Sequence, residues 1–471
     1  MSDKKCPVYK KCNGCQLMNM SYDEQLRFKE IKCVRSLGKY GRVEKIVPME
    51  NPYFYRNKVQ TLFRKDRHGN LFSGVYQSST GGIVGVEKCL LENEKATEII
   101  SDIKKLIKKY RILVYNPANE TGFLNHVLIR SGFRSGEIMV VLATRDSKFE
   151  QKNNFVKDLV ALHPQITSVV QTVGKSEKLV LGKTQKVLFG KPYIEDILCG
   201  LRFKISANSF YQVNPVQTEK LYTKAIELAS LKGNETVIDA YCGIGTIGLI
   251  ASKKAKEVIA VENVKDAVMN AKENAKLNGI ENVSFYCADA SDFLKAYAEE
   301  NKADVVFLDP PRMGSTPKFL YSVLKLNPKK IVYISCNPET QGRDLYTLVK
   351  GGYKVKKICP FDMFPQTNHV ETVVSLVKLP PDDVINIELD LTKLDISIND
   401  GKPTYDQIKA YVLKKYGLKV SSLYISQIKR KHGLEVGESY NKSKKDNQHI
   451  PQCPKDKEDA ITDALKYFKM I

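Results

Sequence analysis

The chain has no tryptophan in 471 residues, so any stacking on a flat ligand falls to its 24 tyrosines and 18 phenylalanines. No apolar run reaches the ~18 residues that a membrane span needs. The opening MSDKKCPVYKKCNGC lacks the apolar core of a secretory signal. A membrane role is therefore not expected, and a cytoplasmic location is. There is no long internal repeat and no low-complexity tract. At 42% hydrophobic and 27% charged, the composition is that of a globular chain rather than a disordered or collagen-like one. At about 150 residues per domain, the length predicts roughly three units. Acid is the scarce charge: Asp+Glu total 53 against 74 Lys+Arg, a formal net charge of +21. Such a surplus favours a polyanionic partner, because each phosphate neutralised releases condensed counterions. The plainer alternative is a surface charged for solubility.

Cysteine is present but unevenly placed. Cys6, Cys12 and Cys15 crowd the N-terminus, and the other eight, Cys33 and Cys89 among them, stand singly. A reducing compartment argues against a disulfide framework, so the cluster reads as metal ligation or redox chemistry. Four thiolates, if Cys89 joins the three, suit either [4Fe–4S] or zinc, and spacing does not separate the two.

Four regions follow from the pattern. Residues 1–40 form a short cysteine-rich segment, with helical apolar spacing over Tyr22–Val34. Residues 41–200 form an α+β domain. Its strands are YRNKVQTLFRK, LFSGVYQ, HVLIRSGF, EIMVVLAT and SVVQTVG, and its helices are Thr97–Tyr110 and Phe155–Leu162. The basic strand (Arg56, Lys58, Arg64, Lys65) either lies along RNA or is a solvated sheet face. Residues 201–380 alternate strand and helix, the signature of a doubly wound α/β fold with a parallel sheet. Pro380–Pro381 marks its end. Residues 384–471 carry 16 Lys/Arg against 12 Asp/Glu and read as a helical appendage. There, Gly417 closes one amphipathic helix and Ser421/Ser422 open another, a possible helix-turn-helix whose Lys429, Arg430, Lys431 and His432 would meet phosphate.

The chemical signals sit at the strand ends of 201–380. In Thr236-Val-Ile-Asp-Ala-Tyr-Cys-Gly-Ile-Gly-Thr, Gly243 and Gly245 allow a tight turn before a helix N-terminus. Glu262 ends the next strand, where a carboxylate accepts hydrogen bonds from ribose hydroxyls. Asp289 follows the third strand. This order resembles the S-adenosylmethionine site of class I methyltransferases, in which Tyr241 would line the pocket; Asp239 could equally cap the loop. In LDPPR the two prolines leave Asp309 at the carboxyl edge of the sheet. SCNP places Cys336 there, and HVET begins the last strand with Glu371. A thiol and an acid together suggest covalent catalysis with a separate base. Pro451-Gln-Cys453-Pro stands outside the sheet with no cofactor motif and is set aside. An amino-group methyltransferase is disfavoured because Arg312 replaces the aromatic that would stack the base.

FYQVN, DAYCGIGTIGL, LDPPR, SCNP and HVET, in this order and spacing, closely resemble the RNA uracil-C5 methyltransferase family over about residues 1–379. The resemblance implies Cys336 as nucleophile and Glu371 as base. It implies Gln212, Tyr241, Glu262, Asp289 and Asp309 as cofactor-binding residues for S-adenosylmethionine. Cys6-x5-Cys12-x2-Cys15 with Cys89 resembles the iron–sulfur branch, which implies a [4Fe–4S] cluster rather than zinc. The β-barrel that precedes the cysteines in many relatives is not expected, so target selection would fall to the 40–200 region and the tail. The implied partner is 23S ribosomal RNA, with transfer RNA second, and the chain is expected to be monomeric. A non-catalytic RNA-binding or assembly factor is the rival from another class.

Overall fold

The computed structural model describes residues 5–77, 80–174, 181–182, 184–380, 405–418, 420–434, 453–468 and 470–471. They fall into two compact units, Met1–Val384 and Ile385–Ile471.

The first long helix, Tyr22–Leu37, begins at a capping box. Ser21 Oγ accepts from the Glu24 amide, and the Glu24 carboxylate accepts from the Ser21 amide at 2.7 Å. It runs about one turn beyond the expected Val34. A seven-stranded mixed sheet follows in the order Ile83–Gly85, Leu71–Tyr76, Lys58–Lys65, Leu124–Ser131, Ile138–Thr144, Ile166–Val173, Thr184–Gly190. One face packs Val127, Ile129 and Val140 against Ile99, Ile103, Phe155 and Leu159 of the helices Glu94–Lys109 and Lys152–Leu162. The other face, through Leu128, Met139 and Val141, shares a core with Phe203, Leu221 and Val237. Burial on both faces explains why the central strands read as apolar runs rather than alternations. Thr184–Gly190 was not expected, since it is exposed on nearly every residue and shows no periodic apolar signal. The hairpin Tyr193–Leu198/Leu201–Ser206 was also unforeseen. It turns on Cys199 and Gly200, both at positive φ.

The second sheet has the order Val283–Cys287, Glu257–Glu262, Thr236–Asp239, Val305–Leu308, Lys330–Ser335, Glu371–Lys378, Tyr353–Phe361. The first five strands are parallel, as the βα alternation implied. The last two correct the expectation of a wholly parallel sheet. Glu371–Lys378 inserts antiparallel between its neighbours, because the short loop after Phe361 makes a hairpin where a parallel pair would need a crossover. Among the described residues, no helix is long and apolar enough to cross a membrane.

In the second unit, helices Tyr405–Tyr416, Ser422–Lys431 and Lys455–Tyr467 enclose Ile408, Val412, Ile425, Ile428, Ile461 and Leu465. Gly417 (φ +70°) follows the first helix, and Ser421 Oγ accepts from the Tyr424 amide at 3.3 Å to cap the second. Of the basic turn, Lys429 is buried over the Tyr405 ring at 4.8 Å, whereas Arg430, Lys431 and His432 are exposed. Lys431 pairs with Glu458 at the surface, and His432 Nε2 lies 3.4 Å from Thr462 Oγ1. Pro381 and the polar stretch before the last helix lie outside the described residues.

Candidate active site

The glycine loop is built by backbone strain and two carboxylates. Gly243 and Gly245 have φ of +54° and +86°, values that favour glycine. A Cβ at 245 would also press on Leu249, Ala271 and Phe285 at 3.2–3.3 Å. Asp239 is fully buried, and its Oδ2 accepts from the Gly248 amide at 2.7 Å. Burial pushes its carboxyl up to about 7. This is the loop-capping role read as the alternative from sequence. Glu262 straps the same loop: Oε2 accepts from the Gly243 amide at 3.1 Å and Oε1 from the Val264 amide at 2.9 Å. Asp289 caps the helix Ala290–Glu300 through bonds from the Ser291 and Asp292 amides at 2.9 and 3.1 Å. Tyr241 packs on Phe319 with ring centroids 5.1 Å apart.

These elements open onto a cavity of about 600 Å³ at the carboxyl edge of the sheet. Gln212, Tyr241, Glu262, Asp289, Asp309, Cys336 and Glu371 all line it, so all seven catalytic and cofactor candidates meet in one place. Sheet register explains how the thiol and the acid converge. Ser335 pairs with Thr372 in an antiparallel ladder, so the next residues outward, Cys336 and Glu371, lie side by side. Thr372 Oγ1 bonds Gln341 Oε1 at 2.6 Å, and the Asn337 amide donates to Ser335 Oγ at 3.1 Å, fixing both strand ends.

The cavity wall is acidic and dry. Burial, then the neighbouring Asp309, holds Glu371 well above the usual carboxylate range; its exposure is 3%. Burial, then Asp239, pushes Asp309 up to about 7. Burial, then Glu371 and Asp309, pushes the Cys336 thiol up to about 11, against a lowering pull from Arg312. Buried carboxyls that raise one another are a setting in which a cation bound nearby restores the charged form. S-Adenosylmethionine carries a sulfonium and an ammonium, so the donor set suits it.

Sequence reasoning did not single out Tyr222, Phe210 or Phe364, which also line the cavity. Tyr222 sits on the helix Pro215–Ala229 and reads as core. In the fold its side chain bonds Gln212 and Thr246. Phe210 did carry a signal, as an aromatic inside FYQVN that is 71% exposed. Two asparagines hold that motif. Asn57 donates its amide to Val213 O at 3.0 Å and its Nδ2 to Gln212 O at 3.2 Å. Asn214 Nδ2 donates to Met363 O at 2.9 Å.

The N-terminal thiols gather elsewhere. Cys15 and Cys89 pack at one apolar cluster with Met49, Tyr55 and Leu91. Burial and the nearby Cys89, Cys12 and Cys6 push the Cys15 thiol up to about 12. Among the described residues, no group of three or more His, Cys, Asp or Glu is arranged to hold a metal ion. Cys33 is fully buried beside Ile46 and Val370, as read from sequence.

With this geometry in place, comparisons extend it. The model of the tRNA (uracil-5-)-methyltransferase family matches residues 21–379. An uncharacterized RNA methyltransferase of Clostridium tetani is 43% identical over 375 residues, 78% of this chain and 81% of its own length. One from Halalkalibacterium halodurans is 42% identical over 378 residues, 79% of this chain and 82% of its own. Among solved structures, the tRNA (uracil-54, C5)-methyltransferase of Pyrococcus abyssi, in complex with S-adenosyl-L-homocysteine, superposes with a TM-score of 0.66 at 29% identity. It covers 77% of this chain and 86% of its own.

Proposed function

Because the chain belongs to the RNA uracil-C5 methyltransferase family, and so is an S-adenosylmethionine-dependent RNA methyltransferase, we propose that it methylates C5 of a uridine through a covalent Cys336 adduct. The observation that carries this reading is the pairing of thiol and carboxyl at adjacent strand ends in a single cavity. C5 of uracil is too poor a nucleophile to act unaided. The Cys336 thiolate adds to C6, forming a C–S bond and driving the ring electron pair toward C5. Bound S-adenosylmethionine supplies the electrophilic methyl group. Glu371, as carboxylate, then removes the C5 proton, the C5=C6 bond re-forms, and the C–S bond breaks to release the thiolate. Gln212, Tyr241, Glu262, Asp289 and Asp309 hold the cofactor. A base paired in a helix must first be unstacked into the cavity.

The substrate in this reading is structured RNA, with 23S ribosomal RNA first through the likeness to the iron–sulfur branch. Transfer RNA is the second reading, favoured by the Pyrococcus neighbour. Cys6, Cys12, Cys15 and Cys89 would hold a [4Fe–4S] cluster. This donor set rests on the resemblance to the iron–sulfur branch, and the cluster would be structural, since methyl transfer moves no net electron. RNA carrying 5-fluorouridine in place of uridine tests the adduct. The fluorine cannot leave as a proton does, so a denaturation-resistant protein–RNA complex is expected, and Cys336→Ala abolishes it. Methylation of ordinary RNA without any trapped complex would refute the covalent route.

A further inference from the structure

The strand Lys58–Lys65 carries a feature that the chemistry above does not use. Lys58 stands opposite Arg130 in the antiparallel ladder with Leu124–Ser131, and Arg56 lies just before the strand, near enough for its charge to act on Lys58. Like charges placed directly opposite on adjacent strands are destabilising. Among the described residues, Arg56, Lys58 and Arg130 form no ion pair, and the acid nearest in influence is Glu92, which senses Arg56. The Nε atoms of Arg56 and Arg130 are buried without a hydrogen-bond partner. Glu92, bridged to Arg56 through the backbone, is itself pushed up to about 7 by burial. Burial, then Arg130 and Arg56, pushes Lys58 down to about 8. By contrast Arg64, on the same strand, is turned inward to Asn125 at 3.2 Å, so the strand is not uniformly a basic rail.

The position of the three cations is specific. Arg56 lines the reaction cavity. Arg130 Nη2 donates to the carbonyls of Ala207 (3.1 Å) and Ser209, fixing the segment that leads into Phe210. Asn57, between Arg56 and Lys58, holds Gln212 and Val213. The charge therefore adjoins the cavity through Arg56 and the segment leading into Phe210 through Arg130.

We propose that Arg56, Lys58 and Arg130 form a phosphate subsite gripping the RNA backbone beside the nucleotide whose base enters the cavity. The inference rests on the reading of that cavity as the uridine site. A phosphate there offsets the like charges: Lys58, half-buried and in no ion pair among the described residues, makes the direct contact, while Arg130, buried and bonded to Ala207 and Ser209, adds its charge from behind.

The test uses the full chain and unmodified transcripts of 23S ribosomal RNA and transfer RNA, with binding measured across a salt series. Losing one phosphate contact lowers the slope of log affinity against log salt by about 0.7–0.9. Lys58→Ala is expected to show that change and a raised KM for RNA, with kcat within about twofold, and Lys58→Arg to restore both. Thermal melting without RNA guards against a folding defect: removing an opposed like charge leaves the midpoint unchanged or raised. A salt slope equal to that of the unmodified chain, or failure of Lys58→Arg to restore it, overturns the subsite. If the slope changes as expected but no 5-methyluridine forms on either RNA, the subsite stands and the uridine reading fails.

Discussion

Cofactor binding should be linked to proton release from Asp309. Burial, and then Asp239, push the Asp309 carboxyl up to about 7. A cation in the same cavity favours the ionised form, so binding lowers that pKa and expels a proton. The sign follows: affinity for S-adenosylmethionine is full above about pH 7 and falls as pH drops below it. With a free pKa of about 7 and a bound value near the ordinary carboxylate range, affinity is about tenfold weaker at pH 6 than at pH 8, and about a hundredfold weaker at pH 5. Calorimetry in buffers of different ionisation enthalpy measures both the affinity and the protons released. S-Adenosylhomocysteine, which lacks the sulfonium charge, should show a shallower dependence. Asp309→Asn should bind more weakly at pH 8 and lose the dependence. The same raised pKa makes the free carboxylate a destabilising group as pH rises from about 4 to 7, so Asp309→Asn should melt higher than the unmodified chain at pH 8. Affinity that is flat from pH 5.5 to 8, or an Asp309→Asn variant that keeps the slope, would refute the linkage.

Glu371→Gln removes the proposed base but not the nucleophile. Product release should fall by about 10²–10⁴, while a covalent RNA complex carrying the transferred methyl group accumulates on denaturing gels; loss of both adduct and product would assign Glu371 another role. With the Cys336 thiol at about 11, the thiolate fraction rises about tenfold per pH unit through neutrality. Single-turnover adduct formation at saturating cofactor should follow that slope between pH 7 and 9, and a plateau there would mean that the thiol is already ionised in the complex. Lys29 and Asp362 are fully buried and paired at 2.5 Å. Lys29→Met strands a buried carboxylate and should cost about 3–5 kcal/mol in denaturant unfolding, with much of it recovered by adding Asp362→Asn.

How much of this was legible in sequence depended on whether a residue works through its neighbours in the chain or across the fold. Glycines 243 and 245, Glu262 and Asp309 announced themselves because strand–loop–helix chemistry is local. Cys336 and Glu371 were legible only as motif fragments; their meeting depends on an antiparallel strand insertion that no local pattern encodes. Tyr222 was invisible because a buried tyrosine on an amphipathic helix looks like core, and only the fold shows its hydroxyl reaching Gln212 and Thr246. The basic strand was read as one rail, yet Arg64 turns inward while Lys58 stands opposite Arg130, a residue 72 positions after it. The same limit applied to the tail, where Lys429 read as a surface cation but is buried over Tyr405.

The site depends on segments far from its sheet in sequence. Lys29 on the first long helix pairs with Asp362 and donates to Phe364 O at 3.0 Å, and Tyr22 Oη donates to Asp362 at 2.8 Å. Gln25 and Gln366 exchange two bonds at 2.9 Å. These contacts fix the loop 362–370, which delivers Glu371 to its strand and Phe364 to the cavity. Asn57 does the same for Gln212. The thiol cluster region sits at the root of that helix, with Tyr22 packed against the Met49–Tyr55–Leu91 cluster beside Cys15 and Cys89. Loosening the cysteine segment would reach the proposed base Glu371 through Tyr22, Lys29 and Asp362 rather than through the cofactor loop. Cys15→Ser should therefore depress methyl transfer more than cofactor affinity. Equal loss of both would instead mean that the N-terminal segment supports the whole domain indiscriminately.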